Sequence, residues 1–426
     1  MTFSLCMIVK NEERLLGRCL DSVSGVFDEI VITDTGSVDS TKKLALSYTD
    51  KVYSFAWCDD FSAARNFSFS KATGDYIFWL DADDVLSPAN RDALASLKQT
   101  ITPEIDVVMM KYASADQPDF FYYRERLIKR LGGMRWVGFV HEVIPPKGKL
   151  LYADITVLHT PDSHRRDPGR NLRLYEARLA AGAKLSTREQ YYYARELYDN
   201  GKRDLAARHF EQFLKLPNAW YADKISACLV LYDIYRHKLP AKARDFLAMA
   251  LSYDCIHPQV LCLMGDEQRM TGRTEQAIFW YESALRCPTT YRKNGFVLTD
   301  YERYYPYLQL CVCYDALGDR ETAAAYNRLA GAEHPDSEQV KYNEAYFAAI
   351  KRAEQTDAPF RSFDAVQESA PSAADTEPVS QAPAERLQAR ETAKMQGAAD
   401  TANAHGALEA QAPPLPEKSD AEQGEN

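Results

Sequence analysis

The stretch IFWLDADD, residues 77–84, sets three aspartates into four positions directly behind an apolar run. A short unbroken apolar run bounded by polar turn residues reads as a strand buried on both faces, as parallel strands are. Asp81 and Asp83 stand two apart, so where the chain still runs extended their side chains point to the same side. Carboxylates placed together repel unless a cation or several donors offset their charge. Oxygen ligands at this spacing suit Mg2+ or Mn2+. The competing role is a solvated turn at the strand end, with Asp84 capping the helix that begins SPANRDALASL.

Working back from that stretch, short apolar runs alternate with amphipathic segments. FSLCMIVK is the first strand, and NEERLLGRCLDSV follows with Leu15, Leu16, Cys19, Leu20 and Val23 at helical spacing. EIVITDTGS and KVYSFAW are further strands, STKKLALSYT and FSAARNFSFSKAT further helices, and DYIFWLD is the fourth strand. This alternation predicts a mostly parallel sheet covered on both faces. Ligands of such sheets bind outside the carboxyl ends of the strands, where KNEE, TDTGSVDS and DADD all fall. One site built from three loops is the economical reading. Residues 111–165 are expected to extend the sheet and complete the pocket, with ITVLHT as its last strand.

From about residue 168 the pattern is helical throughout. NGKRDLAARHF, HKLPAKARDF, TGRTEQAIFW and LGDRETAAAY align without gaps, with a turn residue at 201, 238, 272 and 318 and Ala five positions later. A unit recurring near 34 residues with these features is the signature of paired antiparallel helices of the tetratricopeptide type. The second unit lacks the glycine, and the last spacing carries about a dozen extra residues around PTTYRKNGFVLTDYERYYP. One helical pair cannot bury its apolar face alone, so several stack and leave a concave surface. Three segments are therefore expected: 1–175, an α/β domain; 176–355, helical repeats; and 356–426, a disordered Ala/Pro/Glu-rich tail.

Composition narrows the class. With 46% hydrophobic residues and 26 Tyr the chain is globular. Its net charge of −10 is concentrated in residues 361–426, which hold 12 acidic and 5 basic residues, so residues 1–360 carry only −3. That balance recommends no nucleic acid partner. No apolar run approaches the roughly 18–20 residues of a bilayer span, and MTFSLCMIVKNEER lacks the pattern of a signal peptide, so a cytoplasmic location is expected. Nine scattered cysteines without a C-x-x-C pair suggest reduced thiols rather than disulfides or zinc.

The ordered motifs MIVKNEERLLGRCLDSV, IVITDTGSVDST and DDFSAARNFSFSKATGDYIFWLDADD together resemble the nucleotide-sugar-binding half of the inverting family-two glycosyltransferases of GT-A fold. Within them the chain looks most like the bacterial branch that joins such a domain to C-terminal tetratricopeptide repeats and includes enzymes glycosylating peptides. The resemblance implies a Rossmann-like GT-A domain over residues 1 to about 175. By it, Val9, Lys10, Asn11 and Glu12 border the base and ribose, Asp34 hydrogen-bonds the base, and Arg65 lies against the nucleotide. Asp81 contacts ribose or metal, Asp83 bridges the metal, Mn2+ or Mg2+, to the diphosphate, and His159 is a third metal ligand. In RWVGFVHEVI, Glu142 is the implied base that deprotonates the acceptor. Many relatives carry an E-D pair where this chain has H-E, so His141 shares or takes that role. Arg165, Arg166 or Arg170 would cover the diphosphate.

Each residue also has a purely structural alternative. Asp34 and Asp39 could cap the helix after SVDS, Glu12 could sit in a first helical turn, Arg65 could form a surface ion pair, and His141 and Glu142 could face water at a strand end. The resemblance implies a metal-dependent hexosyltransferase using a nucleoside diphosphate sugar, UDP-linked. The repeats would orient a peptide or protein acceptor or mediate homo-oligomerisation. The rivals are a non-catalytic tetratricopeptide scaffold with a vestigial nucleotide-sugar domain and a nucleotidyltransferase. KNEE lacks the glycine-rich phosphate loop with which the latter usually opens.

Overall fold

The computed structural model describes residues 1–161, 167, 169–253 and 256–355. The tail expected over 356–426 lies outside them, as do Arg165 and Arg166.

The first strands follow from the apolar runs. β1 (Phe3–Val9) is buried along nearly its whole length and pairs in parallel with β2 (Glu29–Asp34) on one side and β4 (Tyr76–Trp79) on the other. β3 (Val52–Ser54) adds in parallel outside β2. The helices α1 (Leu16–Ser22), α2 (Thr41–Ala45), α3 (Phe61–Phe69) and α4 (Pro88–Thr100) connect or follow these strands. After them β6 (Val107–Ser114) and β7 (Gln117–Lys129) form an antiparallel hairpin. β8 (Leu150–His159) runs parallel to β6, and the two-residue β5 (Asp84–Val85) lies antiparallel on β8 with Asp84 opposite His159. The path across the sheet is β3-β2-β1-β4-β7-β6-β8-β5, mixed but parallel in its first half.

β8 is not the last strand, contrary to the sequence expectation. β9 (Val297–Leu298) comes from the extra residues in the third repeat and pairs antiparallel with β7, Leu298 opposite Phe120 and Val297 opposite Phe121. β6 occupies one edge of β7 throughout, so β4 and β9 share the other edge, β4 at residues 127–129 and β9 at 120–121. The stretch of β7 between them faces the loop that leaves β4. Thr299 Oγ1 donates to the Asp119 carbonyl at 3.1 Å and fastens the insert.

Helices occupy the rest: α5 (Arg170–Ala180), then the antiparallel pairs α6 (Thr187–Asp199) with α7 (Arg203–Leu214), α8 (Tyr221–Tyr235) with α9 (Pro240–Ala250), α10 (Pro258–Met270) with α11 (Thr274–Leu285), and α12 (Tyr304–Ala316) with α13 (Arg320–Glu333), closed by α14 (Glu338–Gln355). Residues 175 and 176 both lie within α5. The four turns fall at the aligned positions. Gly201, Gly272 and Gly318 take φ of +74°, +75° and +83°, which a side chain resists, whereas the second turn leads into Pro240 at the helix start. Ala206, Ala243, Ala277 and Ala323, five residues after each turn, are all 0% exposed, so the second helix of each pair approaches the first at the alanine. One apolar core underlies the sheet and reaches the insert and α10–α12, and a second joins Phe139 and Val140 to α5–α10. Among the described residues no helix is long and apolar enough to cross a membrane, and none of the cysteines is in a disulfide.

Candidate active site

β4 ends at Trp79, and the aspartates lie in a turn closed by the Asp84 amide donating to the Asp81 carbonyl at 3.0 Å. Asp81 and Asp83 are thus not on extended chain and do not share a direction, because the strand stops before them. Asp84 does not cap α4; Ser87 does, accepting the Asn90 amide, with Pro88 following. Asp84 is instead fully buried. Its Oδ2 accepts Arg126 Nη1 at 2.9 Å, and its Oδ1 accepts the Tyr112 hydroxyl at 2.9 Å. His159 Nδ1 lies 3.5 Å from both Asp83 Oδ1 and Asp84 Oδ1, and 3.0 Å from Tyr112 Oη. Burial works against charge on both partners, yet Arg126 and His159 hold the Asp84 carboxyl below its ordinary value, and the two carboxylates raise His159.

Asp83, Asp84 and His159 therefore form a group whose ligand atoms all lie within 4.8 Å of one another. Two carboxylates and an imidazole make a donor set that fits a hard divalent ion, which would displace the imidazole proton. Asp81 is outside the group, its Oδ1 held by Arg65 Nη2 at 2.7 Å. The sequence reading takes Asp84 only as a helix cap and does not single out Arg126. The signal was RER in the middle of an aromatic strand, charges that a buried β7 must pair. Arg126 also lies flat on the Trp79 ring, 3.8 Å from its centroid.

Arg65 comes one turn into α3, whose start is capped by Asp60 and tied to the Phe139 carbonyl. It is buried, not a surface pair. Its Nε donates to Glu142 Oε1 at 2.6 Å, and its guanidinium lies 5.1 Å and 4.8 Å from the rings of Trp79 and Trp136. Glu142 has only 1% of its side chain exposed. One guanidinium thus joins the acidic turn to the loop holding the expected base. His141, its neighbour, is turned the other way. It takes φ +52°, stacks on Tyr192 of α6 at 4.3 Å, and places Nε2 2.7 Å from Glu196 Oε1, also of α6. Arg188 Nη2 reaches its carbonyl at 3.4 Å.

The loops after β1 and β2 are knitted together. Asn11, at φ +58°, donates its amide to Ser37 Oγ and accepts the Val38 amide on Oδ1, both at 2.8 Å. The Glu12 amide donates to Thr41 Oγ1 at 2.6 Å. Val9 is buried and its carbonyl accepts the Thr35 amide, while Lys10 is exposed. Asp34 Oδ1 accepts the amides of Gly36 and Ser37 at 3.1 Å each, and Asp39 accepts the Thr41 amide. Asp34 Oδ2 is buried and has no hydrogen-bond partner among the described residues. Arg18, unmarked in the sequence, donates to the Thr160 carbonyl at 2.9 Å beside His159. Arg170 lies over the Phe61 ring at 5.1 Å.

An α/β sheet whose first strands end in interlocked loops above an acidic turn, with a histidine of β8 beside it, is the architecture of a GT-A-type domain. Residues 4–156 match the model of the family described as Glycosyl transferase family 2, and the chain carries a domain of that family at this end. It is 30% identical over 144 residues to the SPbeta prophage-derived glycosyltransferase SunS of Bacillus subtilis, covering 33% of this chain and 34% of that protein. Over 83 residues it is 52% identical to a TPR repeat-containing protein of Synechococcus elongatus, covering 20% of this chain and 21% of that protein. The chain thus spans about a fifth to a third of the length of these relatives. The crystal structure of S. aureus TarS aligns with a TM-score of 0.32 at 14% identity, covering 60% of this chain and 56% of that one.

Proposed function

We propose that the protein is an inverting glycosyltransferase that moves a sugar from a nucleoside diphosphate sugar, UDP-linked, to an acceptor presented from the helical array. The observation that carries this reading is the arrangement at one sheet rim: the Asp83–Asp84–His159 group, and beside it a buried Arg65 gripping both Asp81 and Glu142.

The chain's own residues divide the work. Asp34 Oδ2, buried and without a partner among the described residues, accepts an N–H of the base, which restores the hydrogen bond a buried carboxylate oxygen lacks. Asn11 and Glu12, fixed by the β2 loop, line the ribose, with Val9 and Lys10 leading into them. Asp83, Asp84 and His159 hold a divalent ion, Mn2+ or Mg2+, with Arg126 and Tyr112 fixing Asp84 behind it. When bound, that ion supplies positive charge to the departing diphosphate. Glu142 takes the acceptor proton as the acceptor oxygen attacks the anomeric carbon from the face opposite the leaving group. The new C–O bond forms as the bond to the diphosphate breaks, which inverts the centre. His141, stacked on Tyr192 of α6, positions the Glu142 loop and does not act as the base. Arg65 orients Glu142 and ties its position to Asp81.

A thermal-shift screen of UDP-sugars with and without Mn2+, on the wild type and on Asp83→Ala, tests this. At a donor concentration of 100 Kd the stabilisation is about 2.7 kcal/mol. It should require Mn2+ and vanish in the variant. No metal-dependent stabilisation by any UDP-sugar, or an undiminished one in Asp83→Ala, refutes the reading.

A further inference from the structure

Where the repeats meet the sheet, the starts of α8 and α10, the insert around β9 and the Phe120 end of β7 line a cleft partly open to solvent. Its frame is apolar and aromatic, with Trp220, Phe120 and Phe296 among its walls. Three polar side chains line it: the Asp223 carboxylate, 6% exposed, and the carboxamides of Gln259, 8% exposed, and Asn294. Among the described residues none of these three side chains makes a hydrogen bond. Ser226 and His257, also in the lining, are engaged. Ser226 Oγ accepts the Tyr191 hydroxyl at 2.8 Å, and His257 accepts the Gln259 amide on Nδ1 while Nε2 meets the Phe296 carbonyl. Buried polar groups in native proteins are normally paired. Two buried polar side chains without a hydrogen-bond partner among the described residues, Asp223 and Gln259, and the half-buried Asn294 beside them, set in an apolar frame where the repeats meet the sheet, mark a ligand site.

The chemistry of the three groups selects the ligand. Asp223, lifted by burial to about 7, presents near neutral pH either a carboxylate that needs a hydrogen-bond donor or an O–H that needs an acceptor, and each carboxamide both donates through its N–H groups and accepts through its oxygen. A cationic side chain has no acceptor and would leave the amide hydrogens unpaired. It would also meet the charge of Arg188, whose field reaches Asp223 without contact. An anion would face the carboxylate. A hydroxyl group both donates and accepts, and adjacent hydroxyls on a ring can satisfy the acid and the amides together while the ring's C–H face covers an aromatic wall. Phe120 also lines the small cavity that contains Tyr112 and His159, so one residue borders both this cleft and the cavity at the metal end of the site.

We propose that this cleft binds a neutral sugar ring carried by the acceptor, with Asp223, Gln259 and Asn294 reading its hydroxyls. The proposal rests on the glycosyl-transfer reading and names the chemical class of its acceptor. Saturation-transfer NMR on the full chain tests it, with methyl glucoside, methyl galactoside and methyl N-acetylglucosaminide as probes and cyclohexanol and N-acetyl-lysine methylamide as comparators. At least one glycoside should bind, its ring C–H protons saturating most, and should weaken about tenfold in Asp223→Leu and again in Gln259→Leu. The second variant decides the matter where the first does not fold. The proposal is overturned if no glycoside exceeds cyclohexanol, if both variants bind like the wild type, or if the lysine derivative alone binds. Mn2+-dependent stabilisation by a UDP-sugar should survive in both variants. Its absence from the wild type would defeat the donor reading while glycoside binding is judged separately.

Discussion

Replacing Arg65 by methionine probes the link between the acidic turn and Glu142. Two ion pairs are lost, at 2.7 Å to Asp81 and 2.6 Å to Glu142, but their consequences differ because the carboxylates differ in exposure. The Asp81 side chain is 31% exposed and can recover water, so its loss costs little. Glu142, 1% exposed, cannot. Removing one partner of a buried ion pair costs about 3–5 kcal/mol, because the remaining buried charge loses its counterion's attraction while staying out of water. Methionine retains contact with the Trp79 and Trp136 rings, so little packing is lost. The variant should therefore be about 3–5 kcal/mol less stable at pH 7 in urea unfolding, with a melting temperature lower by about 10 °C. Adding Glu142→Gln should return all but about 1–2 kcal/mol, since a buried amide costs far less than a buried charge. A single variant within about 1 kcal/mol of wild type, or a double variant no better than the single, would show that Arg65 is not the counterion of Glu142.

Three further outcomes are expected. Glu196→Ala removes the acceptor of both His141 Nε2 and Asn171 Nδ2, at 2.7 Å and 3.0 Å, and should cost about 2–4 kcal/mol and lower kcat more than donor KM; unchanged kcat would dissociate α6 from the Glu142 loop. Burial lifts Asp223 to about 7 from 3.8, with Arg188, Tyr191 and Tyr192 of α6 around it, so the stability its protonated form contributes is complete below pH 3.8 and lost as pH rises through 7. That difference corresponds to on the order of 4 kcal/mol. Asp223→Asn should gain on wild type between pH 4 and 7 and level off above, in unfolding series across pH; a pH-independent difference refutes the assignment. Gly265→Ala places a Cβ 2.6–2.9 Å from the Tyr281 ring, whose hydroxyl bonds Asp266 at 2.6 Å. Overpacking of about 1–3 kcal/mol should outweigh the helix-propensity gain of about 1 kcal/mol, and a raised melting temperature would contradict the packing described.

Much of this fold could be read from local pattern. The runs that became β1, β2 and β4 are continuous and apolar because both their faces are covered, and the alanines after each repeat turn are invisible to composition but obvious once the four segments are aligned. What escaped depends on partners far away in sequence. Asp84 looked like a helix cap because a helix does follow it, while its true counterion, Arg126, lies 42 residues on in a strand that nothing in the local sequence ties to the turn. Nothing near His141 announces that it will stack on Tyr192, since the helix concerned begins some 46 residues later. β9 has two residues, too few for any period to show. The candidate site was legible as three loops at strand ends, but the division of its aspartates was not: a turn, not an extended strand, sends Asp81 to Arg65 and Asp83 to His159.

That two-residue strand also governs the order in which the chain can mature. Phe120 and Leu298 are partners across nearly 180 positions. A ribosome emitting about 5–20 residues per second therefore leaves this edge of β7 bare for roughly ten seconds or more after its own synthesis. Exposed edges invite pairing with other chains. The N-terminal sheet thus waits on the third repeat for its cover, and the helical array acts on its own domain first as an intramolecular guard during biogenesis.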